Sequence, residues 1–144
     1  MLEFILAKLI ARLIKFPYNK YHPLVLVLGN PQIGENTYVG AFSEINAKNS
    51  SITIGKNCDI ASFVSINCAD SHRKVLGREK YNNRREIEIG NNVFIGSHSM
   101  IKGGARIGDY CVVAAGTVVE GVQIQPFSLI YGNPMKIKNG YYRE

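Results

Sequence analysis

Aliphatic residues recur every six positions along most of this chain, and the residue that follows each of them is usually glycine or alanine. A six-residue period fits neither the 3.6-residue period of an amphipathic helix nor the two-residue alternation of a half-buried strand. It fits a short strand followed by a corner. The repeated aliphatic positions are Ile33, Val39, Ile45, Ile54, Ile60, Ile66, Ile89, Ile95, Ile101, Ile107, Val113 and Val119.

Three such units predict one triangular coil of about 18 residues, and stacked coils form a parallel β-helix. Each aliphatic side chain then lies on its counterpart one strand spacing away, about 4.8 Å, in a continuous inner column. The tiny residue after it is expected to permit the tight corner, and a small residue three positions further on fits the narrow interior. No repeat buries its core alone, so the predicted fold class is all-β, with the stack of coils as the folding unit.

Two interruptions break the period. Nine residues separate Ile45 from Ile54, which predicts a three-residue bulge near Lys48–Ser50. Between Ile66 and Ile89 the spacing is 23, and a polar stretch at about 71–88 lacks the repeat, so we expect a loop that protrudes from one coil. Long loops on a rigid scaffold often carry function.

The N-terminal segment has a different pattern. Apolar residues follow a helical spacing as far as Phe16, charged residues lie among them, and Pro17 is expected to end the helix. The segment is too short to span a membrane. It is expected either to cap the open end of the β-helix or to lie on a membrane surface through its lysine and arginine residues. The predicted organisation is an amphipathic helix and linker at 1–22, then a β-helix domain at 23–144 that ends in a C-terminal tail.

Composition narrows the function classes. Of 144 residues, 46% are hydrophobic and 19% are charged, which indicates one folded domain and not a disordered chain. The net charge of +6 favours an anionic partner, but no nucleic-acid-binding motif accompanies it. The cysteines, Cys58, Cys68 and Cys111, form no C-x-x-C pair, and no signal-peptide cleavage site is evident, so we expect reduced thiols in the cytoplasm.

The protruding loop begins with a candidate catalytic group, His72. An imidazole with a pKa near 6.5 suits a general base at neutral pH. Asp70 lies two residues earlier and is the candidate partner that orients the ring. Nothing in the sequence indicates a lowered pKa for Cys68, so no acyl-cysteine step is predicted. His22, His72 and His98 lack the spacing of a three-histidine zinc site, so no metal is predicted.

Three segments carry a family resemblance. SINCADSHRK is similar to the catalytic segment of streptogramin and galactoside acetyltransferases. IEIGNNVFIGSHSMIKGGARIGDYCVVAAGTVV resembles the galactoside and maltose acetyltransferase pattern, and YGNPMKIK resembles a tail that is common in the hexapeptide-repeat acyltransferase superfamily. The resemblance covers about residues 25–138. It implies a left-handed β-helix, acetyl-CoA as co-substrate, and a homotrimer with active sites between subunits.

The resemblance also implies roles for individual residues. His72 would be the base, and Ser97 would lie beside the thioester and support the developing oxyanion. The remaining cofactor contacts would come from the backbone of Ala115 and Gly116 toward the pantetheine arm, and from Lys136, with Lys138 as the weaker candidate, toward a phosphate of coenzyme A. Galactoside-type members hold the sugar with an asparagine where this sequence has Gly40. Tyr38, Glu44 and Asn46 are therefore the candidate acceptor contacts.

The function predicted from the sequence is transfer of an acetyl group from acetyl-CoA to a hydroxyl or amino group of a sugar or sugar-nucleotide. The transfer would be direct, and surface-polysaccharide biosynthesis is the favoured setting by analogy. An antibiotic-inactivating O-acetyltransferase is one alternative. A non-catalytic β-helix scaffold is another, although it would give no reason for His72 and the GNP tail to occur together.

Overall fold

A computed structural model describes all 144 residues as a triangular β-helix of parallel strands, preceded by the helix α1 (Leu2–Leu13). The strands are β1 (Leu26–Leu28), β2 (Gln32–Ile33), β3 (Tyr38–Val39), β4 (Glu44–Asn46), β5 (Ile52–Ile54), β6 (Asp59–Ile60), β7 (Ser65–Asn67), β8 (Ala69–Asp70), β9 (Asn83–Arg84), β10 (Ile87–Ile89), β11 (Phe94–Ile95), β12 (Met100–Lys102), β13 (Arg106–Ile107), β14 (Val112–Val113), β15 (Val118–Val119), β16 (Gln123–Ile124), β17 (Leu129–Tyr131) and β18 (Lys136–Lys138). A short helix, α2 (His72–Val75), lies between β8 and β9.

Three sheets form the sides of the prism. Sheet A contains β1, β4, β7, β12 and β15, sheet B contains β2, β5, β10, β13 and β16, and sheet C contains β3, β6, β11, β14, β17 and β18. The chain passes through the sheets in the order A, B, C. Only β18 runs antiparallel within them, beside β17. In the third and fourth coils, Ile95 pairs with Val113, 18 residues later, as the period predicts.

The repeated aliphatic residues form the core. In sheet C the column Val39, Ile60, Ile95, Val113 and Ile130 is at most 1% exposed. Fully burying a side chain of this size stabilises the fold by about 1.5–3 kcal/mol. The small residues of the repeat also point inward, and their hydroxyl groups donate to carbonyl oxygens, as Thr37 Oγ1 does to Gly55 O at 2.8 Å. The predicted β-helix of hexapeptide repeats is confirmed.

The role of the repeat glycines at the corners differs from the expectation. The repeat glycines that follow the aliphatic residues are not in the left-handed region. These positions require glycine or another small residue because the backbone of the next coil lies close to them. A Cβ on Gly40 would lie 2.5 Å from the backbone nitrogen of Ser62. The left-handed residue comes two positions later, and it is usually asparagine or an aromatic residue, for example Asn36 at φ 55° and Phe42 at φ 63°.

Both predicted interruptions are present. The bulge is a turn at 48–50, in which Asn49 has φ 57°. The loop is not irregular throughout, because it contains α2 and an antiparallel pair, β8 and β9. Ile87 and Glu88, which the sequence placed in the loop, belong to β10, and Ile87 is fully buried. Ile52 pairs with Ile87, 35 positions later instead of 18, so the loop adds 17 residues to one coil.

The N-terminal helix is formed, but it ends earlier than Pro17. It closes after Leu13, where Lys15 takes a φ of 57° and Phe16 N–H donates to Ala11 O at 2.9 Å. This is a Schellman ending. Ala11 is the only buried residue of α1, so the large apolar side chains of the helix are not buried against the β-helix. Neither helix is long and apolar enough to cross a bilayer.

Candidate active site

His72 and Asp70 form a close pair at the corner between sheets A and B. The chain leaves sheet A at the end of β7, forms β8, and turns into α2, whose first residue is His72. Asp70 Oδ1 accepts a hydrogen bond from the backbone N–H of His72 at 3.0 Å and lies 2.5 Å from Nδ1 of its ring. Both contacts arise from one turn in which an aspartate accepts from the residue two positions later. The local sequence therefore fixes the pair.

The pair has a defined protonation pattern. The hydrogen bonds from the His72 side chain and backbone lower the pKa of Asp70 below its ordinary value of 3.8, so this carboxylate is ionised at neutral pH. An ionised carboxylate only accepts, which requires Nδ1 to carry a hydrogen. In the neutral ring the lone pair is then on Nε2. The side chain of His72 is 64% exposed, so Nε2 is open to a reactant.

A cleft of about 390 Å³ adjoins this pair. Its walls come from the end of sheet A and from both strands of the loop hairpin. Besides His72 and Asp70 they contain Asn67, Cys68, Ala69, Ser71, Asn83, Arg85, Met100, Lys102 and Gly103. Arg85 is held across the corner by a 2.6 Å hydrogen bond from its guanidinium to Gly103 O, and Lys102 pairs with Glu120 at 2.8 Å. The lining of the cleft thus includes two cationic side chains, Arg85 and Lys102, besides the Asp70 carboxylate.

Cys68 lies at the base of the cleft but is not a nucleophile candidate. Its side chain is 2% exposed, and its Sγ lies 3.3 Å from Ser51 O. Burial raises the pKa of the thiol above its ordinary value of 9.0. A buried thiol that stays protonated cannot attack a thioester readily. All three cysteines are free and buried, as the sequence predicts.

The residues expected to hold the cofactor lie at another corner, between sheets C and A. Ser97 and Gly116 occupy this corner in successive coils, and Gly116 N–H donates to Ser97 O at 2.9 Å. Ala115 and Gly116 are exposed, and nothing lies within 4 Å of where a Cβ on Gly116 would be. The structure therefore brings Ser97, Ala115 and Gly116 together along one open edge.

The two candidate lysines extend this edge into the last coil. In the antiparallel pair of β17 and β18, Lys136 lies opposite Tyr131, at the end of β17 that leads to the same corner. Lys138 lies opposite Leu129, and its ammonium group lies 5.7 Å from the Tyr131 ring and 5.3 Å from the Tyr141 ring. Lys136 is therefore the better placed of the two toward Ala115 and Gly116.

The three candidate acceptor residues are divided between two sheets. Glu44 and Asn46 are on the outer face of sheet A, where Asn46 pairs in register with Asn67 of the cleft. Their side chains contact each other at 3.4 Å. Tyr38 is exposed on sheet C. The structure thus brings Asn46 toward the His72 cleft and does not bring Tyr38 there.

Within one chain, His72 and Ser97 are separated by the width of sheet A. Ser97 precedes β12, whereas Gly103, which follows β12, lines the His72 cleft. Six residues of extended chain correspond to roughly 15–20 Å. Ser97 is not among the residues that line the cleft. A single chain therefore does not assemble all the predicted catalytic residues.

Sequence reasoning missed the aromatic stack that flanks the corner of Ser97 and Gly116. Phe42, Phe63 and His98 have φ values of 60–63° and stack with ring centroids 5.2 and 4.9 Å apart. The stack ends at His98, beside Ser97, because the next coil has Gly116 in this position. The available signal was an aromatic residue three positions after Val39 and again after Ile60. Arg85, Asn67 and Lys102 were also missed as cleft residues, since only the fold brings them to His72.

Comparisons with known proteins agree with this architecture. Two family models match: "Hexapeptide repeat of succinyl-transferase" over residues 32–68 and "Bacterial transferase hexapeptide (six repeats)" over residues 86–121. Galactoside O-acetyltransferase of Escherichia coli K12 is 35% identical over 111 residues, which cover 75% of this chain and 53% of that protein. The bifunctional protein GlmU of Streptococcus uberis is 29% identical, with 83% and 27% covered. The chain thus spans about half and about a quarter of these relatives.

Solved structures give the same result at the level of fold. A galactoside acetyltransferase in complex with coenzyme A superposes with a TM-score of 0.71 at 31% identity, covering 84% of this chain and 60% of that one. A maltose O-acetyltransferase from Clostridium difficile 630 superposes with a TM-score of 0.58 at 25% identity, covering 95% and 85%. The chain belongs to the hexapeptide-repeat acyltransferase superfamily, whose fold is the left-handed parallel β-helix.

Proposed function

We propose that this chain transfers an acyl group, with acetyl as the expected one, from coenzyme A to a hydroxyl or amino group of a sugar or sugar-nucleotide. The observation that carries the proposal is the His72–Asp70 pair, which leaves Nε2 open beside a polar cleft in a hexapeptide-repeat β-helix. The galactoside acetyltransferase to which the chain is similar was solved with coenzyme A, which supports this donor.

The reaction is a direct transfer. His72 Nε2 takes the proton of the acceptor group as its oxygen or nitrogen attacks the thioester carbonyl. The new bond joins the acceptor to the acyl carbon, the carbon–sulfur bond breaks, and the proton passes from Nε2 to the leaving sulfur. Asp70 holds the ring by Nδ1 and stabilises the imidazolium form during the transfer. Ser97 supports the negative charge that develops on the carbonyl oxygen.

The proposed assembly is a homotrimer with each site between two chains. The support is geometric: His72 lies at the corner between sheets A and B, whereas Ser97, Ala115 and Gly116 lie at the corner between sheets C and A. Coenzyme A bound along the second corner of one chain can meet His72 only if that histidine comes from a neighbour. A closed threefold arrangement provides three equivalent clefts.

The charge of the loop supports a phosphorylated acceptor, and so favours a sugar-nucleotide over a neutral sugar. Residues 71–86 contain six lysine and arginine residues and two glutamates, a net charge of +4 beside the cleft. Positive potential at the mouth of a cleft concentrates anionic substrates and becomes less effective as salt increases. Surface-polysaccharide biosynthesis in the cytoplasm remains the proposed setting.

The test is an acceptor panel with acetyl-CoA, in which release of the coenzyme A thiol is followed with a chromogenic reagent. We expect turnover with sugar-nucleotides, weaker turnover with neutral galactosides, and a decline with salt that is steeper for the charged acceptors. His72→Ala is expected to lower turnover by at least 100-fold, in the range of ~10²–10⁴ for general-base catalysis, without loss of the circular dichroism signal.

Val75→Ala, on the same short helix and exposed, is the matched control and should retain wild-type turnover. Turnover with antibiotics and with no sugar or sugar-nucleotide would contradict the proposed acceptor and favour an antibiotic-inactivating O-acetyltransferase. Absence of turnover across the panel, together with no binding of coenzyme A in calorimetry, would favour the non-catalytic scaffold instead.

A further inference from the structure

The N-terminal helix directs its large apolar side chains into solvent. Seven leucine and isoleucine residues of α1 and its end are between 40% and 79% exposed, and they are Leu2, Ile5, Leu6, Leu9, Ile10, Leu13 and Ile14. The side that faces the protein is the one with small residues, because Ala11 is buried and Ala7 is half-buried. A helix of a globular protein normally buries its large apolar residues and exposes polar ones. This helix leaves its large apolar residues exposed together with its charged ones.

The exposed residues form one continuous stripe. At 100° per residue, the positions from Ile5 through Leu9, Leu2, Leu13 and Leu6 to Ile10 cover an arc of about 140°. Phe4, Ala7 and Ala11 fall on the opposite side, where Phe4 meets the ring of His22 edge-on at 6.3 Å between centroids. The helix therefore contacts the rest of the protein through the side that carries Phe4, Ala7 and Ala11, and the apolar stripe stays exposed to solvent.

Cations line one border of this stripe. Lys8 and Arg12 fall beside Ile5 on the helix, Lys15 follows its C-terminal end, and none of the three forms an ion pair. A cleft of about 440 Å³ between the helix and the segment 17–23 is lined by Lys8, Arg12 and Lys20, and no acidic residue lines it. The only carboxylate of the helix, Glu3, lies on the other border of the stripe.

We propose that α1 docks on an anionic phospholipid surface, with its apolar stripe inserted among the acyl chains and its cations facing the headgroup phosphates. The charge pattern favours this partner over a second copy of the chain, because three cations and one carboxylate border the stripe and a second copy would bring the same excess of positive charge. At 12 residues the helix is about 18 Å long, which suits a helix lying in the interface and not a spanning one.

Docking of α1 would bring the proposed active site close to the membrane surface. The helix precedes the first coil and the His72 loop follows the second, so the cleft would lie about two coil spacings, roughly 10 Å, from the first coil of the β-helix. In a trimer with parallel prisms the three helices would lie at the same end and would bind one surface together, which strengthens a weak single contact. The docking itself requires neither the trimer nor the proposed reaction.

The experiment is vesicle flotation of the full chain with phosphatidylcholine alone and with an equal mixture of phosphatidylglycerol and phosphatidylcholine. We expect binding to the mixed vesicles that declines with added salt, and little binding to phosphatidylcholine alone. Leu6→Glu/Leu13→Glu is expected to lower the bound fraction by more than tenfold. Val122→Glu, at an exposed position in the last coil, is the control and should bind as the wild type does.

A charge variant separates the two contributions. Lys8→Gln/Arg12→Gln should weaken binding to the mixed vesicles by about fivefold per cation and leave the weak binding to phosphatidylcholine unchanged. Absence of binding to the mixed vesicles would overturn the proposal, as would equal, salt-independent binding to both. A lower oligomeric mass for Leu6→Glu/Leu13→Glu in light scattering, without vesicle binding by the wild type, would assign the stripe to a contact between copies. Release of the coenzyme A thiol with a soluble acceptor measures the proposed reaction independently of membrane binding. It should be the same as in the wild type for Leu6→Glu/Leu13→Glu and for Lys8→Gln/Arg12→Gln.

Discussion

Single residues at the corners of the prism adopt a backbone conformation that most side chains avoid. Asn36, Asn57 and Asn92 do so at one corner, where a short polar side chain tolerates the left-handed region. Phe42 and Phe63 do so at another, and a residue of this size in that region typically costs about 1–3 kcal/mol. Stacking on the neighbouring ring returns part of that cost, about 0.5–1.5 kcal/mol for a pair. Such strain is often found next to functional sites.

The residue scale also shows where prediction from sequence stops. The inward aliphatic residues were predicted because each obeys a local period. The Phe63–His98 stack could not be predicted in this way, because these residues are 35 positions apart and meet only when the loop of 17 extra residues is excluded from the coil. The pairing of Asp70 with His72 needed only a two-residue turn, so the sequence was sufficient to suggest it.

Asp70→Asn tests the positioning role of that carboxylate. The amide cannot stabilise the imidazolium as a charge does, and it can also hold the wrong tautomer of the ring. We expect the turnover number to decrease by more than tenfold while the KM for acetyl-CoA stays within twofold. Steady-state kinetics with both substrates varied would show this split. An unchanged turnover number for Asp70→Asn would show that Asp70 does not position His72 for catalysis.

The same pair predicts a pH dependence of stability. Because the pKa of Asp70 is lowered in the folded chain, its contribution to the free energy of unfolding is present above the ordinary value of 3.8 and is lost as pH falls below it. Wild type and Asp70→Asn should therefore differ more in urea midpoint at pH 7 than at pH 3. A difference that grows toward pH 3 would contradict the assignment of the pair.

At the scale of elements, the six-residue period was sufficient for the strands and insufficient for the segments that depart from it. The segment was predicted only as a polar loop that protrudes from one coil. It also forms α2 and an antiparallel hairpin, because β8 follows β7 closely and pairs with β9. The helix α1 was predicted from its spacing, but spacing does not say which face meets the protein. Its small face does, through Ala11.

The register of β18 against β17 distinguishes the two lysines that are candidates for contact with coenzyme A. Lys136 and Lys138 point to the same side of this strand, but only Lys136 lies at the end of β17 that leads to the corner of Ala115 and Gly116. We expect Lys136→Ala to weaken coenzyme A more than dephospho-coenzyme A, and the difference to shrink in high salt. Lys138→Ala should change both affinities much less. Calorimetric titration of both ligands would measure this, and equal losses for Lys136→Ala would exclude contact with the 3′-phosphate.

At the scale of the whole molecule, the residues of the proposed site are divided between two corners of one prism. The corner with His72 has the proposed base and the cleft, and the corner with Ser97 and Gly116 has the open edge expected to hold coenzyme A. Light scattering coupled to size exclusion should give a mass close to three times 16.0 kDa. No property of one chain's sequence could establish this, because the six-residue period fixes each prism and does not specify what packs beside it.

The central claim is that catalysis occurs between two chains, and co-expression of two inactive variants tests it most directly. His72→Ala removes the proposed base, and Gly116→Asp places a side chain in the open space at the corner expected to hold coenzyme A. In randomly mixed trimers about a quarter of the clefts would pair an intact His72 with an intact Gly116 corner. We predict that the purified mixture recovers up to about a quarter of wild-type thiol release. Hybrid trimers with no activity above that of the separate variants, or a fully active monomer, would contradict the account.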